Sequence, residues 1–351
     1  MTVRRWRAGW ATVAGLSFAA LYVVGRGDAR RAWLAYLVAW MPILGIALGS
    51  LSLLMVHALT GGAWGRRLQP AFVSGALYLP AALLLALPLL IAAPSIFPWA
   101  RQNAGKDWPF FYLNLPFFYA RTLVCFACWL VWMRGILGRL RDASRPWPGF
   151  AAAGLVMMTV TVSLWATDWI MSQVRGWHST ALGVTVLSAQ WLIALAFAIV
   201  RDARCNDTRC PPTLSRDLGS LLLVALLGWA YLGFVDFLTA WIADLPADTV
   251  WYLPRLTTSW RWLGTGIVIL NFVPIVLLLF SAFKCNPRAL ARLAGALAVL
   301  QALYGFWLIL PDVHPQGMTL GLVDPLAWIG VCAGAMLGHA AWRQRSWRSS
   351  E

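Results

Sequence analysis

Five ionisable side chains sit within or at the mouths of long apolar stretches of this 351-residue sequence: Arg121, Asp168, His178, Asp236 and Arg261. A charge in hydrocarbon is expensive, so a residue of this kind is kept there for a partner, a proton or a substrate. Asp168 lies near the end of one apolar run in Ala166-Thr167-Asp168-Trp169, and His178 opens the next. Arg121 and Arg261 begin two others, and Asp236 lies deeper. An isolated carboxylate at that depth takes up a proton unless a cation holds it. The chemistry on offer is a polar path for protons, and the bland alternative is an Asp-Arg pair that ties two helices together.

Other chemistries lack their residues. Glu351 is the only glutamate, leaving twelve aspartates and four histidines. A transmembrane haem needs two histidines at matching depth on facing helices. His178 and His314 fall on one side of the expected membrane, His57 and His339 on the other, and the last two read as interfacial residues. No cysteine run suits an iron-sulfur cluster, and neither a phosphate-binding G-x-x-x-x-G-K-S/T loop nor an H-E-x-x-H zinc motif occurs. Cys205 and Cys210 alone supply half a zinc site. The six cysteines build no disulfide framework, since Cys125, Cys128 and Cys332 lie in apolar runs and Cys205, Cys210 and Cys285 in loops expected to face a reducing cytoplasm.

The elements that must position these residues follow from composition. Hydrophobic residues make up 60% of the chain and charged residues 12%, which places it in lipid rather than in water. Crossing ~30 Å of hydrocarbon takes ~20 apolar residues. Ten stretches qualify: residues 8–24, 33–59, 71–93, 116–136, 149–171, 179–200, 218–243, 260–283, 289–310 and 323–342. The expected fold is an all-α polytopic membrane protein, a single domain over 1–351, because no connection between spans is long enough to fold by itself.

Orientation follows from the basic residues. Nineteen, among them Arg66, Arg67, Arg139, Arg201, Arg216 and Arg288, lie in the N-terminal segment and every second connection thereafter, against seven in the alternate set. The excess marks the cytoplasmic side of a bacterial inner membrane and puts both termini there. Basic residues so distributed are a topology signal and form no face for nucleic acid. The first apolar run ends in Gly25-Arg26-Gly27-Asp28-Ala29 with no A-x-A pattern, so it is expected to remain as an uncleaved span. Aromatic residues thicken at span ends, as in Trp177-His178 and Trp260-Arg261-Trp262, where amphipathic rings settle. Small residues such as Gly45, Gly49, Gly264 and Gly266 are expected at close helix contacts. Asp324, in Val323-Asp324-Pro325, reads as the N-cap of the last span.

Several strings, in this order along the chain, resemble a known family. They are Gly61-Gly62-Ala63-Trp64-Gly65, Pro98-Trp99-Ala100, Tyr112-Leu113-Asn114-Leu115-Pro116-Phe117-Phe118 leading to Arg121, and Asp168-Trp169-Ile170-Met171-Ser172 followed by Trp177-His178-Ser179-Thr180. The clearest block runs from Gly228-Trp229-Ala230-Tyr231-Leu232 through Leu245-Pro246-Ala247-Asp248-Thr249-Val250-Trp251-Tyr252 to Trp260-Arg261-Trp262. Together they resemble ActF, an integral membrane component of alternative complex III, which is a bacterial quinol:cytochrome c oxidoreductase; the family is distantly NrfD-like.

The resemblance implies helices arranged largely as two four-helix bundles and a subunit that binds no cofactor itself. Quinol then belongs to a related NrfD-like membrane subunit, and the redox centres to iron-sulfur and multihaem cytochrome c subunits. It also implies part of a proton route, for which Asp168, His178, Asp236, Arg121 and Arg261 are the candidates. Asp236 stands where relatives tend to carry glutamine, and Asn271-Phe272 where histidine-phenylalanine is common, departures that touch the details of such a route more than the fold. Two other readings compete. One is an NrfD-type quinol-binding anchor, with the ring received among Trp169, Trp177 and His178. The other is a secondary transporter, a class that usually breaks paired helices at the midplane; the Gly and Pro positions here suggest no such pair.

Overall fold

The computed structural model describes residues 3–101, 111–142, 146–205 and 210–348, with backbone alone for 3–6, 247–248 and 343–348. Lys106, Arg145 and Arg209, counted above among the loop cations, lie outside the described residues.

Among the described residues ten helical segments are long and apolar enough to cross a membrane: Arg7–Val24, Ala29–Thr60, Ala63–Ile91, Leu115–Arg141, Pro148–Gln173, Leu182–Cys205, Pro212–Ala243, Trp260–Leu279, Pro287–Asp312 and Val323–Trp342, numbered here as spans 1 to 10. Each matches an expected stretch. Their starts are chemically marked. Asn114 accepts a hydrogen bond from Phe117 N at 3.0 Å ahead of span 4, and Asn286 accepts from Arg288 N and Ala289 N ahead of span 9, each followed by a proline in the first turn. A short acceptor satisfies the otherwise orphaned first-turn N–H groups, and proline has no N–H to orphan. Asp28 serves span 2 in the same way through Arg31 N.

Asp324 departs from its expected role. It lies inside the first turn of its helix, so it is not the cap; its carboxylate accepts from Gly321 N and from Arg31. The third span departs as well. It is two helices, Ala63–Ala76 and Leu79–Ile91, with a turn at Leu77–Tyr78 halfway along. Proline at Pro80 cannot donate the backbone bond that would carry the first helix through, and hydropathy is blind to helix continuity. No matching break in another span's middle is seen among the described residues.

Span 2 is the hub. Residues Leu34 to Trp40 are all buried along it, and it packs on spans 3, 5, 6, 9 and 10. Spans 2, 3, 5 and 6 form one group of four and spans 6, 7, 8 and 9 another, so the two groupings share span 6. Span 10 rests on spans 2 and 3 and carries span 1 on its outside. Spans 1, 7 and 8 are the most peripheral, and side chains such as Val224, Phe234, Val268 and Phe272 turn outward from them. Packing of this kind in lipid comes from close backbone approach rather than from hydrophobic exclusion. Gly49 supplies it between spans 2 and 6, where a Cβ would overlap the Gln190 carbonyl and Ala194. Gly264 similarly receives Trp307, whereas Gly266 faces open space.

Candidate functional site

Alternate ends of the ten helices gather Arg31, Arg121, Asp168, Asp236, Arg255, Asp312 and Asp324 at one end of the bundle, called here the Asp168 end. The opposite end carries most of the arginines. Span 4 presents Arg121 two turns into its helix, and span 5 presents Asp168 one residue before Trp169 closes its helix. The two meet as a fork: Arg121 Nε to Asp168 Oδ2 at 2.8 Å and Nη2 to Oδ1 at 2.9 Å, with Asp168 only 2% exposed. The remaining guanidinium nitrogen donates to Tyr112 O at 2.8 Å, and the Tyr112 and Phe117 rings lie against the cation at 3.8 and 4.3 Å. Behind the carboxylate, Trp99 Nε1 donates to Ser172 Oγ, which donates to Asp168 O. Burial, and after it the nearby Asp168 charge, push the Tyr112 phenol up to about 12, so it stays protonated. A bidentate ion pair with this many restraints is a brace: both oxygens are spoken for, and a proton arriving at Asp168 would have to break it.

Asp236 is differently placed. It lies seven residues before the end of span 7, about 10 Å along the helix from that end. Its oxygens accept from two hydroxyls, Ser179 Oγ at 2.5 Å and Tyr252 Oη at 3.0 Å. Among the described residues it makes no ion pair. Ser179 is fixed because its oxygen also accepts from Leu182 N at the start of span 6. Burial and then the Asp236 charge raise the Tyr252 phenol, which therefore remains a donor. Trp177 stacks on Trp251 at 4.6 Å and 10°, clamping the loop before span 6 to the segment before span 8. The result is a carboxylate held by two neutral hydroxyl donors rather than by a cation.

No family model and no curated protein matches the chain.

The five residues singled out from sequence do not form one cluster. Arg121 pairs with Asp168, and His178 adjoins Ser179, itself bonded to Asp236. His178 is exposed, with Nδ1 on Gly176 O at 3.0 Å. Arg261 is exposed and lies over its neighbour Trp262 at 4.7 Å. Among the described residues three further ion pairs are not evident from sequence: Arg67 with Asp202 at 2.9 Å at the opposite end, and two at the Asp168 end. Arg255, a loop cation by its position in the chain, is fully buried and grips Asp312 through two 2.8 Å bonds. It also donates to the carbonyls of Trp251, Trp307 and Leu308 and lies 3.6 Å from the Trp251 ring. Arg31 likewise donates to both oxygens of Asp324 at 2.6 Å. A usable signal for Arg255 was Trp251 four residues earlier, one helical turn away.

The histidines expected at the interface divide. His57 keeps to the end of span 2, its Nδ1 3.0 Å from Gly61 O. His339 is buried instead, with Nε2 3.0 Å from Ser74 Oγ and its ring stacked on Tyr78, because the turn in span 3 brings both residues against span 10. Among the described residues no three histidine, cysteine or acidic side chains gather closely enough to hold a metal ion.

Proposed function

We propose that this chain is an integral, cofactor-free subunit of a quinol-oxidising respiratory assembly, of the kind represented by ActF in alternative complex III. In this reading it braces the NrfD-like quinol subunit and provides part of a proton path. Quinol oxidation releases protons near the outer face, and electrons travel through the iron-sulfur and multihaem partners. The observation that carries the reading is the convergence of the resembling strings. Trp99, Tyr112-to-Arg121 and Asp168-to-Ser172 make one hydrogen-bonded unit, and Ser179 and Tyr252, next to the stacked Trp177 and Trp251, both bond to Asp236.

Roles divide within it. Asp236 is the proton carrier: its carboxylate takes a proton while the Ser179 and Tyr252 hydroxyls reorient, and His178 beside Ser179 lies toward the aqueous side. Arg121 with Asp168 holds the frame, and exposed Arg261 faces water, lipid headgroups or a partner. A quinol anchor would need an open aromatic slot, but Trp169 is packed among Trp40, Phe97, Phe118 and Trp165, and Trp177 is covered by Trp251.

Extraction of the native membrane in mild detergent, with an affinity tag on this chain, is expected to retrieve a multihaem cytochrome and an iron-sulfur protein. Recovery as a free monomer that catalyses solute uptake would establish the transporter instead. Within the assembly, Asp236→Asn should slow quinol-dependent turnover, on the order of a hundredfold if the proton step becomes limiting, without dissociating the subunits. Unchanged turnover would reduce Asp236 to a helix tie.

A further inference from the structure

Glutamine is an awkward residue for a helix buried in a membrane bundle: its amide carries two donors and two acceptor sites, and lipid offers no partners. Spans 6 and 9 each bury one, Gln190 at 5% and Gln301 at 6% exposure. Gln301 Nε2 and Oε1 and Gln190 Oε1 meet no protein partner, and neither does Trp165 Nε1 on span 5. These are not scattered defects. All three side chains line the same half-open cavity of about 50 Å³ between spans 2, 5, 6 and 9, together with Met41, Pro42 and Tyr304. Pro42 has no N–H, so the Val38 carbonyl one turn earlier in span 2 lacks its helical donor as well. Span 5 therefore offers an indole donor to the cavity, span 9 an amide donor and acceptor, and span 6 an amide acceptor.

Unsatisfied groups of both polarities around one space specify a small ligand that both donates and accepts. The volume sets its size, since a bound water needs ~15 Å³ of such space and two to four polar partners. We propose that this cavity is a hydration site, holding roughly three ordered waters hydrogen-bonded to Trp165, Gln190 and Gln301 at membrane depth. Tyr304 forms part of its lining and stands edge-on to Trp229 of span 7 at 5.1 Å. The site stands independently of any respiratory partner, because it rests on the amides of this chain alone.

Radiolytic footprinting of the purified full chain in nanodiscs tests the site, since hydroxyl radicals made from bound water modify only the side chains beside it. Met41 and Tyr304, themselves half-buried, are expected to be modified several-fold faster than the half-buried Met157 and Met336 and the buried Met55, Met133 and Met158, all of which lie away from the cavity. In the Gln190→Leu, Gln301→Leu double variant that excess should vanish while exposed Met318 is modified as before. Gln301→Met, close in volume, gives the same comparison should the double variant fail to fold, and it is expected to lower the excess. Modification of Met41 and Tyr304 at the rate of the controls, or an excess that survives removal of the amides, overturns the proposal.

Discussion

Arg31, Arg121 and Arg255, buried at the Asp168 end, each contact a carboxylate and one or more backbone carbonyls, and Arg121 and Arg255 also an aromatic face. Guanidinium suits this role because it is planar, remains charged and presents several donors in a fixed fork. The energetic consequence is asymmetric. A buried pair contributes little net stability, yet removal of one member strands the other in a poorly solvating interior at a cost of about 3–5 kcal/mol. Arg255→Met should therefore lower the melting temperature in detergent sharply or abolish accumulation, with Asp312 left uncompensated. The double variant Arg255→Met, Asp312→Leu should recover part of the loss. A melting temperature within a degree or two of wild type for the single variant would contradict the pairing.

His314 makes a residue-scale prediction of a different kind. Burial, and after it the cation of Arg31, lower its pKa from the ordinary 6.5, and its Nε2 has no partner. The unfolded chain thus takes up this proton first as pH falls. Stability associated with neutral His314 is fully present above pH 6.5 and is lost progressively below it, toward the lower folded-state value. Denaturation in detergent followed from pH 8 to pH 5 should show this slope, and His314→Gln should flatten it. An identical slope in the variant would assign the pH dependence elsewhere.

Helices make contacts that single residues cannot. The crossing of spans 2 and 6 depends on Gly45 and Gly49, one turn apart, with Gly49 against backbone and Gly45 against the Ile193 methyl. Backbone cannot retreat as a side-chain tip can, so Gly49→Ala should destabilise by about 1–3 kcal/mol through overpacking, and Gly45→Ala by less. Gly266→Ala, with nothing near its Cβ, serves as the neutral control. Thermal unfolding of the three variants checks the order; equal effects at Gly49 and Gly266 would rule out the tight crossing. At this scale the sequence was highly legible, because lipid demands uninterrupted apolar length and Gly45 and Gly49 advertise close packing. It was less so where tertiary context decides. The turn at Leu77–Tyr78 does not alter hydropathy, the burial of Arg255 depends on Trp307 and Asp312 more than fifty residues away, and the pairing of Arg121 with Asp168 joins two helices that the apolar pattern alone does not orient.

For the molecule as a whole, the charge distribution implies a direction in the membrane. By the order of the spans along the chain, nineteen of the 28 basic residues are expected at one end and nine, counting Arg121 and Arg261 at span mouths, at the other, and cations in short connections resist translocation. The exposed Cys205 at the end of span 6 belongs to the richer end, as do Cys210 and Cys285, so native thiols report on one side only. Burial raises the Cys210 thiol and lowers its reactive thiolate fraction, which leaves Cys205 as the main target. Arg261→Cys puts a thiol in an exposed position at the start of span 8, separated from Cys205 by the single crossing of span 7. A membrane-impermeant maleimide should therefore leave wild-type protein unlabelled in intact spheroplasts and label the Arg261→Cys variant. In inverted vesicles both proteins should be labelled at Cys205. Wild-type labelling from outside would reverse the orientation, and with it the side of the proton path proposed through Asp236; labelling of both positions from the same side would mean that span 7 does not cross, removing Asp236 from membrane depth altogether.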